Sequence, residues 1–227
     1  MKNTCLLLAI FAFALTYGQK IEKGSLWRTK GVYDTSGNFI ERAKIQSFLC
    51  ASKSDQIYRL RTQDKLNNET GETKIFVYRD TLNLELIEEK SFKISEKEVL
   101  TVHSKDSITI QFNEYVFPYV KLSTKRNKVD VEKFKTALME APVTVSVEGV
   151  EEYQYTYQEN GMSKIKPIKE DSGWESEYKV IDFNGFTILQ GIVSAPKLIT
   201  RMKKKKIEFL EIDYRFDNKE GAFSWIP

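Results

Sequence analysis

One segment limits what this chain can fold into. Asn127 to Pro142 reads NKVDVEKFKTALMEAP, and it is the only convincing helix outside the first eighteen residues. About a hundred residues of strand-like sequence precede it and about eighty-five follow. Val131, Phe134 and Leu138 recur at i, i+3 and i+7, with Ala137 and Ala141 beside them, so one stripe is apolar. Glu132, Lys133, Lys135 and Glu140 occupy the other side. Asp130 is placed to cap the first turn by accepting hydrogen bonds from its backbone N–H groups. Pro142 ends the helix, because the residue before a proline is driven out of the helical region. A stripe only one face wide predicts a helix that covers one sheet or plugs one barrel end. It carries no catalytic group, so its work is packing.

The flanking sequence alternates with the period of strands. Before the helix the expected strands are 27–33, a stretch carrying Ile45, Phe48 and Cys50, then 56–62, 74–79, 82–88, 98–103, 107–112 and 115–122. Leu82, Leu84 and Leu86 should share one face, and Pro118 hints at an edge or bulge. After the helix, Val143, Val145 and Val147 alternate with polar residues, as do Tyr153, Tyr155 and Tyr157. Asn160-Gly161 and Asn184-Gly185 are hairpin turns that need positive φ. Between Trp174 and Phe183, Glu175, Glu177 and Lys179 should face outward. Ala195-Pro196 breaks the pattern, and a final run from Ile207 to Phe216 puts Glu211, Asp213 and Arg215 on one charged face. Many short strands at close spacing predict a mainly β fold: antiparallel barrel or sandwich units with one central α-helix. The expected organisation is a signal peptide at 1–18, an N-terminal β unit at 19–126, the helix at 127–142 and a C-terminal β unit at 143–227.

The first eighteen residues carry the expectation about place. Lys2 precedes an unbroken apolar run from Cys5 to Leu15, and Thr16-Tyr17-Gly18 supplies small residues before Gln19. That is the pattern of a secretory signal peptide, and the run is too short for a spanning helix. The expectation is an exported protein, periplasmic or extracellular, with no membrane span after cleavage. Cys5 would leave with the signal, so Cys50 would be the one remaining cysteine; in its apolar strand it reads as a buried thiol. A net charge of +3 gives no global field for nucleic acid.

Several chemistries are thin or missing. One histidine, His103, rules out a multi-histidine metal site and reads as a surface or strand-end residue. No catalytic residue, metal or cofactor is assigned. Glu211-Ile212-Asp213 resembles the start of a β-glucanase motif, but the position of its second glutamate holds Phe216. A carboxylate-dependent hydrolase acting on polysaccharide is therefore the rival reading. Arg201, Lys203, Lys204, Lys205 and Lys206 form a candidate anionic-surface patch, to be weighed against a solvated turn or a lysine-protected edge. Asn68-Glu69-Thr70 fits a glycosylation sequon. Tyr153, Tyr155 and Tyr157, with Trp174 and Tyr178, are candidates to line a ligand cavity. A half-buried sheet uses alternating tyrosines too, since the ring packs and the hydroxyl stays wet.

Lys23-Gly24-Ser25-Leu26-Trp27, followed by Tyr33-Asp34-Thr35-Ser36-Gly37-Asn38, resembles the opening of bacterial lipocalin-like domains. There a glycine and a tryptophan begin the first strand and an Asp/Gly turn follows. The family pattern has one residue between the glycine and the tryptophan; here there are two. The resemblance implies a barrel that binds a small apolar ligand, with a helix packed beside it. The signal and the lysine-rich style also resemble exported proteins of the Bacteroidetes group. The leading expectation is thus a non-enzymatic protein that binds a small amphipathic ligand or another envelope component. A structural or interaction module is the third reading.

Overall fold

The computed structural model describes residues 21–40, 45–53, 55–66, 71–123, 129–170, 172–192, 195–203, 206–212 and 218–226. The signal-peptide stretch, the sequon at Asn68, and Lys204, Lys205, Asp213, Tyr214, Arg215 and Phe216 lie outside these residues. The fold is mainly β with one helix among the described residues. Two compact units are present. One gathers described residues within 1–43, 47–59 and 79–124, the other those within 44–46, 60–78 and 125–227.

The first unit centres on an open sheet. Its strands are β1 (Leu26–Thr29), β2 (Tyr33–Asp34), β3 (Ile45–Lys53), β4 (Gln56–Leu66), β5 (Thr73–Asn83), β6 (Glu85–Glu88), β7 (Ser91–Ser95), β8 (Glu98–Ser104), β9 (Ser107–Phe112) and β10 (Tyr115–Ser123). The order is β5-β4-β3-β1-β10-β9-β8-β7-β6, with β2 pairing β10. The two edge strands, β5 and β6, are separated in sequence by Leu84 alone. A sheet whose opposite edges are joined through one residue must curl until those edges approach at that corner. Curling gathers Trp27, Leu49, Ile57, Leu100 and Ile108 into one buried cluster. It also lets Arg59 on β4 reach Glu98 on β8, five strands further along the path, at 2.6 Å, and Asp80 on β5 at 3.2 Å.

Differences from the sequence reading have local causes. The expected break near Asp80 is absent, and β5 runs on to Asn83. The Leu82–Leu84–Leu86 face is divided: Leu82 is buried while Leu86 is exposed, because the chain passes from one sheet edge to the other at Leu84. β7 was not legible, since its sequence SFKIS is short and only half-buried. Pro118 lies inside β10, opposite Thr109 of β9. Its carbonyl accepts from Lys30 N at 2.7 Å, between the stretches where β1 and β2 pair with β10. The missing proline N–H thus faces the interruption around Gly31, where no ladder bond is lost. Cys50 is buried in β3, as expected.

The second unit centres on a closed barrel. After the helix α1 (Val131–Glu140) come β11 (Val143–Val147), β12 (Val150–Tyr157), β13 (Met162–Pro167), β14 (Trp174–Phe183), β15 (Phe186–Gly191), β16 (Lys197–Lys203), β17 (Lys206–Glu211) and β18 (Lys219–Trp225). Every strand pairs antiparallel with the next, and β18 returns to pair β11 across Val143–Trp225 to Val147–Gly221. The turns follow the sequence: Asn184 and Gly185 take φ of 54° and 83°, and Gly161 takes 81°. β16 was missed, because the lysine run and Ala195-Pro196 masked the short apolar core Leu198-Ile199. Gly221 is required where β18 passes β17: a Cβ there would lie 2.4 Å from the Phe209 ring.

The helix belongs to this barrel. Asp130 Oδ1 accepts from the backbone N–H of Glu132 and of Lys133 at 3.0 and 3.1 Å, which is the expected cap. Phe134 and Leu138 are fully buried in one cluster with Val143, Ile199, Ile207 and Phe223. The Thr187 hydroxyl donates to the carbonyl of Val129, tying the entry of α1 to β15. The apolar stripe therefore plugs the end of the barrel that follows it in sequence.

Candidate functional site

Register decides which side chains face the lumen. Paired residues of an antiparallel ladder share a face, so the inward set can be followed from strand to strand. Tyr155 pairs Val143 and Ile165, which pairs Trp174; Tyr157 pairs Ser163, which pairs Ser176. Tyr178 pairs Gly191, and Leu189 pairs Lys197, which pairs Glu211. Strand direction alternates around the barrel. Tyr153, Trp174, Gly191, Lys197 and Glu211 therefore all fall at the strand ends remote from the helix.

There the lumen is not filled. It holds a cavity of about 1070 Å3, and Tyr153, Tyr155, Tyr157, Trp174 and Tyr178 all line it. The five aromatic residues singled out in the sequence are thus brought together on one site. Their rings form a continuous set. Tyr153 meets Tyr155 at 87° and Trp174 at 78°, with centroids 6.4 and 5.8 Å apart. Tyr155 stacks on Tyr157 at 14° and 5.7 Å, and Tyr157 meets Tyr178 at 80° and 4.8 Å. The Tyr178 hydroxyl donates to the carbonyl of Gln158 at 2.8 Å.

Burial keeps the phenols of Tyr155, Tyr157 and Tyr178 protonated. The Tyr155 hydroxyl is pushed up to about 12, first by desolvation and then by the charge of Glu152, by Tyr153 and by Glu211. Tyr157 is pushed well up by burial, and Tyr178 up by the same cause.

The polar groups of the lumen were the part not foreseen. Lys197 and Glu211 form an ion pair at 3.1 Å with side chains only 10% and 20% exposed, and Lys197 Nζ lies 5.6 Å from the centroid of the Phe209 ring. The charged outward face expected for Glu211 is corrected here. Along β17 the buried Ile207 and Phe209 alternate with the half-exposed Glu208 and Leu210, and Glu211 shares the parity of the buried pair, so it turns inward against Lys197. Lys197 could have been found by parity, two residues before the buried Ile199, had β16 been recognised. Glu177 faces outward as expected and accepts from the backbone N–H of Ile75 at 2.6 Å, which brings Glu72, Thr73 and Lys74 to the cavity rim.

The remaining candidates are placed apart from the cavity. Arg201, Lys203 and Lys206 lie exposed on the β16–β17 hairpin, with Lys203 3.7 Å from Glu208. This is a hairpin of a closed barrel, not an edge strand. His103 is exposed, its Nε2 2.9 Å from Thr109 Oγ1. Among the described residues, no group of three or more His, Cys, Asp or Glu side chains is placed to hold a metal ion. Also among them, no helix is long and apolar enough to cross a membrane.

No protein-family model and no curated protein matches the chain. Among solved structures, the DNA polymerase sliding clamp from Pseudomonas aeruginosa, crystallised with a ligand, is returned at 10% identity and a TM-score of 0.17. The alignment covers 90% of this chain and spans 58% of that one. A likeness that loose carries no functional weight.

Proposed function

We propose that this is an exported, non-enzymatic binding protein, and that the barrel of β11 to β18 holds a small amphipathic ligand in its lumen. The observation that carries the reading is the division of that lumen. Phe134 and Leu138 close one end, while the other keeps a cavity of about 1070 Å3 walled by aromatic rings. Pockets above ~300 Å3 are the usual scale for small ligands. Rings supply apolar contact, while protonated phenols and the Lys197–Glu211 pair supply a few fixed polar groups. That combination suits an apolar body with one polar end. The lipocalin-like resemblance at Gly24 to Trp27 falls on β1 of the open sheet and lends this barrel no support. Export rests on the signal-like first eighteen residues and on no structural feature.

Native mass spectrometry of protein purified gently from its source tests the reading. The expected result is a co-purifying adduct of a few hundred daltons on the scale of such pockets, lost in Leu189→Trp, whose indole would occupy the lumen. An apo mass for the native protein, unchanged after incubation with a lipid extract of the source, overturns it.

A further inference from the structure

We propose that the lumen selects an organic cation: a protonated amine or quaternary ammonium carried on an apolar body. The inference rests on the ligand-binding reading above and names the ligand's charge. Its first support is the wall geometry. Tyr153 stands nearly perpendicular to both Tyr155 and Trp174, and Tyr157 nearly perpendicular to Tyr178, with centroids 4.8 to 6.4 Å apart. Rings meeting as corners offer more than one π face to a single alkylammonium group, whose attraction operates within about 6 Å of a ring centroid. The protein already uses this contact inside the barrel, where Lys197 Nζ sits over the face of Phe209.

The second support is charge. Of the five glutamates that line the cavity, Glu72, Glu175 and Glu177 pair with Lys74, Lys164 and Lys179. Lys197, the cation within the lumen wall, is already neutralised by Glu211 at 3.1 Å. An incoming anion would have to draw Lys197 away and leave Glu211 uncompensated among aromatic rings, which is costly in a poorly hydrated site. An incoming cation meets the opposite situation. Glu152 lines the cavity with no ion-pair partner among the described residues. The field of Glu152 and Glu211 at the Tyr155 hydroxyl has the same sign, since both carboxylates resist its ionisation.

Three probes sharing one dodecyl chain test the proposal: dodecyltrimethylammonium, dodecanoate and dodecanol, each below its micelle concentration, titrated calorimetrically into the full chain. The ammonium is expected to bind at least about 10-fold tighter than either other probe. Glu152→Gln should weaken the ammonium about 3-fold and leave dodecanol unchanged. Trp174→Leu should cost the ammonium about 10-fold. Glu152 is exposed and Trp174 half-exposed, so neither change threatens the fold. Equal or tighter binding of dodecanoate or dodecanol overturns the cation proposal and leaves the ligand reading standing. Binding of none of the three overturns both.

Discussion

The open sheet and the closed barrel solve the same problem by different means. Both are antiparallel, and both must dispose of sheet edges. The open sheet brings its edges together at Leu84 and clasps its curl with Arg59, whose guanidinium reaches Asp80 and Glu98. Its inner cluster is filled by Trp27, Tyr119 and aliphatic side chains. The barrel closes through backbone hydrogen bonds between β18 and β11, so its integrity does not depend on a packed interior throughout. That is why one end can be plugged by α1 while the other stays hollow. Closure through the backbone frees side chains for a site; closure through side chains uses them up.

The comparison can be broken at its strongest points first. Phe134→Ala should cost about 3–5 kcal/mol, because a fully buried ring is replaced by a void in the filled end of the barrel. Hydrogen exchange should report the loss in β11, β14 and β18, with β1 and β10 unaffected. Equal loss of protection in both sheets would mean that the units do not keep separate cores. Arg59→Met should cost about 2–3 kcal/mol, since the pair is mostly buried and Glu98 and Asp80 would lose their counter-charge. Desolvation works against the charge on Arg59, but the hydrogen bond and charge of Glu98, with the charges of Tyr119 and Asp80, together outweigh it. The loss should appear in β8 and β10 exchange; an unchanged denaturation midpoint would show that the clasp is not what holds the curl.

The smallest effect is one of pH. The phenols of Tyr155, Tyr157 and Tyr178 ionise late because the folded lumen desolvates them. Groups raised in the folded state contribute stability that is complete below their unfolded value, near 10, and is lost as pH climbs through the folded one. Barrel stability should therefore fall from about pH 10 upward, the Tyr155 contribution disappearing by about 12. Phenolate absorbance should show Tyr155, Tyr157 and Tyr178 titrating late in the native protein and normally in urea. A single uniform titration in the native state would mean that the lumen is wet throughout.

Local pattern made much of this legible. The helix, its Asp130 cap and its stripe depend on neighbours within one or two turns, and they form as the spacing implies. The same holds for the Asn184-Gly185 turn and the inward valines of β11, whose periods are two residues long. The tyrosine ladder was visible for the same reason, although its meaning was not. Alternation says that Tyr153, Tyr155 and Tyr157 share a face; it does not say whether that face meets a packed core or an empty one. β16 and the inward turn of Glu211 were invisible because a charged residue in alternation reads as solvent-facing. Only a partner such as Lys197, fourteen positions away, reverses that reading.

The amino-acid sequence by itself thus determined the β class, the helix at Val131–Glu140 and the aromatic face. These follow from steric and hydrophobic preferences that act over a few residues. The tertiary structure alone decided three things: which half closes, which end α1 plugs, and that a Lys–Glu pair sits within the aromatic lumen. Each depends on register between strands far apart in the chain. Where β18 pairs with β11 and where Lys197 meets Glu211 are set by the hydrogen-bond ladder of the whole barrel, and no local pattern carries that information.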